Sequence, residues 1–60
     1  MTGKEMLKLY KKNGWKVLRI EGSHFQMGKG EKRETIPIHA GEELGTGLQA
    51  KLLKRLKEID

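Results

Sequence analysis

The chain has 60 residues, with 13 Lys+Arg against 8 Asp+Glu and a formal net charge of +5, which leaves room for one small core and excludes any large enzyme fold. Hydrophobic residues are 35% of the chain and charged residues another 35%, lean beside roughly 45–50% apolar content in an ordinary globular domain. Cysteine is absent, which excludes disulfides, thiolate metal sites and cysteine nucleophiles.

At the amino terminus Thr2 and Glu5 form a T-x-x-E capping box, the signature of a helix start. Met6, Leu7, Leu9 and Tyr10 follow at three- and four-residue spacing, with Lys4, Lys8, Lys11 and Lys12 on the other face. Asn13-Gly14 is a helix stop. From Trp15 to Ile20 the residues are β-branched and aromatic and predict a strand, with Trp15, Val17 and Arg19 on one side and Lys16, Leu18 and Ile20 on the other. Glu21-Gly22 predicts a turn. Ser23 to Met27 then alternates as a second strand, with Phe25 and Met27 inward and His24 and Gln26 outward.

The stretch Gly28 to Arg33 reads as a polar, glycine-rich connection, and Thr35 to His39 as a third strand whose Ile36 and Ile38 share a face. Pro37 lacks an N–H for the ladder and favours an edge position. After an acidic loop, Thr46 and Gln49 predict a second capping box. The stripe Leu48, Leu52, Leu56 and Ile59 makes an amphipathic helix with Lys51, Lys54, Arg55 and Lys57 mostly off it. This order of helix, three strands and helix predicts an α+β layer fold: a three-stranded antiparallel sheet with two helices on one face and the other face open. With no repeat, low-complexity tract or linker, residues 1–60 are expected to form a single domain.

A pI of about 9.8 points to a polyanionic partner, although lysines also serve simply to solvate helices. The positive charge lies mainly on the two end segments. No apolar run approaches the roughly 20 residues that span a bilayer, and the amino terminus lacks the apolar stretch of a signal peptide. The expectation is a cytoplasmic protein with no membrane association.

His24 and His39 are the chain's two histidines, the residue type suited to acid/base work near neutrality, and neither lies in an H-x-x-x-H pattern. No metal and no cofactor is expected. Most lone histidines in small domains are surface or core residues; His24 differs because Gly22-Ser23-His24 puts it where a turn enters a strand, facing the open side. That placement suits a general acid or base. Trp15 reads as core rather than a base-stacking platform, and the leucine stripe as core rather than a partner face. Gly28-Lys29-Gly30 lacks the spacing of a phosphate loop and reads as a hairpin.

The ordered set Asn13-Gly14-Trp15, Gly22-Ser23-His24, Met27, Ile36-Pro37-Ile38-His39 and Gly45-Thr46-Gly47-Leu48 resembles the HicA toxins of HicA–HicB toxin–antitoxin systems over nearly the full chain. Gly47 departs from that pattern, which often runs directly from Thr to Leu, as does the glycine-rich hairpin after Met27. The resemblance implies a double-stranded-RNA-binding-domain-like fold and a ribosome-independent mRNA endonuclease neutralised by a HicB-type antitoxin. It places the catalytic histidine on His24 and the turn glycine on Gly22. RNA carries its own nucleophile in the 2′-hydroxyl, so a metal-independent endoribonuclease needs only an acid/base and charge stabilisation. Lys16, Arg19 and Lys29 are candidates for the second task, and Ser23 for orienting phosphate or capping the turn. Two alternatives remain open: a non-catalytic RNA-binding module using the helix lysines on phosphates, and an interaction subunit whose basic face meets an acidic protein.

Overall fold

Thr2 heads the first helix, α1 (Gly3–Lys12), and the reciprocal capping box forms as expected. The Glu5 backbone N–H donates to Thr2 Oγ1 at 3.2 Å while the Thr2 N–H donates to Glu5 Oε1 at 2.8 Å, satisfying donors that the first turn leaves without partners. Bonding to Thr2 holds the Glu5 carboxyl below the usual carboxylate range. The helix stops at Asn13, and Gly14 turns the chain through a left-handed φ of 89°. This computed structural model describes residues 1–58. Beyond α1 it contains β1 (Lys16–Glu21), β2 (His24–Lys29), β3 (Lys32–Pro37) and α2 (Thr46–Lys57).

The three strands form an antiparallel sheet in the order β1-β2-β3, so Pro37 lies on an edge strand, as its missing N–H requires. Met6 and Tyr10 from α1, Leu52 from α2, and Met27 and Ile36 from the sheet are fully buried together with Trp15. Both helices therefore cover the Met27 side of the sheet. Tyr10 and Trp15 pack with ring centroids 4.9 Å apart and planes tilted by 57°. Trp15 and the leucines of α2 are core, while Ile59 lies outside the described residues.

Several sequence expectations change: β3 ends at Pro37, so His39 lies outside it, and Glu21 belongs to β1, with the turn at Gly22-Ser23. Gly28 to Arg33 is not a loose connection: β2 and β3 extend through it to the Lys29–Lys32 pair, leaving only Gly30-Glu31 as the turn. Cross-strand pairing in the ladder outweighs the low strand propensity of this polar stretch. The second capping box is absent, because Gly45 is the N-cap and supplies no side-chain bond. Gln49 Oε1 instead accepts from the terminal ammonium of Met1 at 2.7 Å, and Leu44 N–H donates to Met1 O at 2.7 Å. Finally, strict alternation fails in β1. A register shift between Val17 and Arg19 pairs Val17 with Met27 and Arg19 with Gln26, and an extra residue of this kind moves the following side chain to the opposite face. Arg19 consequently leaves the Val17 side.

The helices are joined by a buried hydrogen bond from Tyr10 Oη to Leu52 O at 2.8 Å. Burial pushes the Tyr10 phenol up to about 12, with Glu34 adding to the rise. On the helix side of the sheet Glu34 meets Lys51 at 3.6 Å and Arg55 at 3.9 Å. An unfolded tyrosine ionises near pH 10, so the neutral buried phenol stabilises the fold fully below that pH and loses this contribution as pH rises through the folded value. Tyr10→Phe should cost about 0.5–1.5 kcal/mol near neutrality, and urea titrations should show that the variant lacks the alkaline loss attributable to this phenol.

Candidate active site on the open sheet face

Side chains at register-paired positions share a face, so the β2 residues His24, Gln26 and Gly28 define the open side of the sheet. The β1–β2 hairpin closes through only two residues, Gly22-Ser23, with Glu21 paired to His24. Gly22 has a φ of 60°, and no non-glycine residue among those described has a positive φ. Positive φ at the first turn position alone is what a two-residue II′ hairpin requires, and it matches the right-handed twist of the strands. Ser23 O accepts from Ile38 N–H at 2.7 Å, tying the turn to the chain leaving β3. Ser23 thus ties the turn through its backbone.

His24 is exposed, held between Glu21 on one side and Pro37 on the other. Beside it a polar chain crosses all three strands. Thr35 Oγ1 donates to Gln26 Oε1 at 2.7 Å, Gln26 Nε2 lies 3.5 Å from Glu21 Oε1, and Arg19 Nη2 lies 2.9 Å from Glu21 Oε2. Glu21 thereby holds the Arg19 guanidinium on the face that carries His24. Arg19 pairs with Gln26, two residues from His24 and about 7 Å along the strand.

The other sequence candidates lie apart from this end. Lys16 shares the open face but pairs with Gly28, about 13 Å along β2 from His24. Lys29 occupies the helix-facing side at the far end of β2, where its Cε would lie 3.4 Å from a Cβ placed on Gly14. His39 is exposed beyond β3, its carbonyl accepting from Glu42 N–H at 3.0 Å, and it lines shallow depressions with Thr2 and Lys4 and with the 42–45 loop. Glu21 and Gln26 were not singled out by sequence reasoning. The available signal was the two-residue turn, which sets Glu21 opposite His24 once Glu21 is placed in the strand rather than the turn.

The class defined by this architecture is an α-β-β-β-α domain with an open three-stranded sheet, consistent with the double-stranded-RNA-binding-domain-like fold. A family model described as HicA toxin of bacterial toxin-antitoxin matches residues 3–58. The chain belongs to the HicA toxin family, and its role is that of the toxin in a system that pairs it with an antitoxin. Searches of curated proteins and of solved structures returned no match. Among the described residues no helix is long and apolar enough to cross a membrane.

Gly22 and Gly30 both have a φ of 60° and open space where a Cβ would stand. Alanine at either position therefore meets backbone strain alone and should cost about 1 kcal/mol. Equal losses in urea denaturation would confirm that the two turns are energetically equivalent, although only one borders His24.

Proposed function

We propose that this toxin is a metal-independent endoribonuclease acting on mRNA in the cytoplasm, with His24 as its general acid/base. The observation that carries the reading is an exposed His24 on the open face, its backbone anchored by a tied two-residue turn, with the Arg19 guanidinium paired to Glu21 on the same face. Substrate can approach from solvent, while the backbone that carries the proton-transferring side chain is set by the hairpin register.

In the proposed reaction the 2′-oxygen attacks the adjacent phosphorus as its proton is removed. The bond from phosphorus to the 5′-oxygen breaks, and the leaving oxygen takes up a proton. The products are a 2′,3′-cyclic phosphate and a 5′-hydroxyl end. His24 serves one of the two proton transfers, and Arg19 stabilises the charge that builds on the phosphoryl oxygens. Glu21 is a positioning residue, acting through Arg19. Lys16 is placed to contact phosphates further along the strand, and the position of Lys29 leaves it outside the reacting centre.

Removing a positioned acid/base typically costs about 10²–10⁴ in rate. His24→Ala should therefore lose cleavage of a labelled mRNA by at least that lower factor while still binding it. Activity should persist in excess EDTA, and an all-DNA strand, lacking the 2′-hydroxyl, should remain intact. Gly22→Ala should also lose cleavage while Gly30→Ala retains it, a contrast that equal stability losses cannot explain. Binding without cleavage by the folded parent protein would instead establish an RNA-binding module.

The antitoxin in this proposal is HicB-type and covers the open face from the β1 side. Along that edge strand Leu18, beside Gly28 on the open side, and Ile20, paired with Phe25 on the other side, are 53% and 55% exposed, an apolar edge next to the Lys16 and Arg19 cations that suits an acidic protein wrapping over β1. Ile20→Lys should weaken the complex by calorimetric titration without changing cleavage by free toxin.

A further inference from the structure

The cations of this protein are used unevenly. Lys51 and Arg55 of α2 are committed to Glu34, and Arg55 also to Glu58 at 3.0 Å. Arg19 is committed to Glu21. On α1, Lys4, Lys8, Lys11 and Lys12 are all exposed, and none has a carboxylate within ion-pair reach among the described residues. The only carboxylate of α1, Glu5, is turned back onto Thr2.

At about 100° per residue the four lysines fall within an arc roughly 100° wide, centred opposite the buried Met6 and Tyr10. They rise through about 12 Å of helix from Lys4 to Lys12. Lys11 and Lys12 suit the negative end of the helix dipole, but the amino-terminal part of the row works against the helix that carries it. Lys4–Lys8 and Lys8–Lys12 are like-charge pairs at i,i+4, which destabilise, and Lys4 stands in the first turn, at the positive end of the helix dipole. A face kept only for solubility would be better served by interspersed glutamates.

We propose that Lys4, Lys8, Lys11 and Lys12 form a second RNA contact, a row that holds the sugar-phosphate backbone of the substrate at a distance from the phosphate being cut. The inference rests on the RNA-cleaving function proposed above. Since α1 covers the side of the sheet opposite His24, and the shortest extent of the molecule is 17 Å, the row and His24 engage different parts of one RNA. RNA fits this surface better than an acidic protein does. The row is all ammonium, with no exposed apolar centre for a protein interface to desolvate; Leu7 and Leu9 pack against the core, and the exposed apolar residues Leu18 and Ile20 lie on β1.

Each lysine that neutralises a phosphate releases counterions, which makes binding steeply dependent on salt. The test compares the parent chain with the quadruple variant Lys4→Gln, Lys8→Gln, Lys11→Gln, Lys12→Gln, using a long single-stranded RNA methylated at its 2′-oxygens so that it cannot be cut. The slope of log affinity against log salt should shrink by about 3 in magnitude, at roughly 0.7 for each phosphate that the variant no longer neutralises. On cleavable RNA, KM should rise at least tenfold on a long transcript while kcat is unchanged. Neither parameter should change on a dinucleotide, whose single phosphate is the one being cut and cannot also reach the row. Circular dichroism should show the variant folded, since the substitutions relieve repulsion. An unchanged salt slope on the uncut RNA would overturn the proposal. So would an intact slope accompanied by failure to bind the antitoxin, which would assign the row to the protein partner. If the parent chain cuts no RNA yet the slope still shrinks, the cleavage reading fails and the docking row stands.

Discussion

The register of the first hairpin is the constraint on which the open face depends. Two residues connect β1 to β2, and the left-handed conformation of Gly22 lets them do so without splaying the strands. That closure sets Glu21 opposite His24, and the bond from Ile38 N–H to Ser23 O carries the constraint on to the end of β3. Because side chains alternate at every residue, a slip of one position would turn His24 toward the helices and bring Phe25 and Met27 into solvent. Burial of Met27 thus fixes the exposure of its outward neighbours.

The irregularity in β1 follows from the same economy of faces. With Val17 directed to the core beside Met27, uninterrupted alternation would have sent Arg19 after it, under the helices. The shifted register directs Arg19 to the open side, where Glu21 can hold it. Leu18, at the irregularity, comes so close to Gly28 that a Cβ there would lie 2.5 Å from Leu18 Cδ1. The glycine accommodates this leucine across the open side, and the apolar edge of β1 borders the polar chain near His24.

Charge is divided along similar lines. Between sheet and α2, Glu34 gathers Lys51 and Arg55 into partly buried ion pairs that bind one layer to the other. The terminal ammonium of Met1 reaches Glu43 and Gln49 and draws the 42–45 loop against the head of α1. Among the described residues α1 carries the largest single group of cations with no carboxylate partner, Lys4, Lys8, Lys11 and Lys12, a distribution of the net charge of +5 that composition cannot reveal.

The amino-acid sequence by itself determined the order of the elements, the α1 capping box, the stop at Asn13-Gly14, the apolar stripes of both helices, and the ordered residues that mark the HicA toxin family. These follow from local periodicity and short-range bonding, which depend on neighbours a few residues apart. It also placed His24 on the side away from Phe25 and Met27, because alternation along β2 is unbroken. Only the tertiary structure decided the rest. Gln49 could satisfy Thr46 or the distant amino terminus, and chain packing chose the latter. Lys16, Arg19 and Lys29 could not be sorted by spacing alone, since the shift in β1 and the extension of β2 through Gly28 and Lys29 arise from pairing between strands. Glu21 and Gln26 became legible beside His24 for the same reason: their proximity is a property of the hairpin register, set by contacts across the sheet rather than by order along the chain.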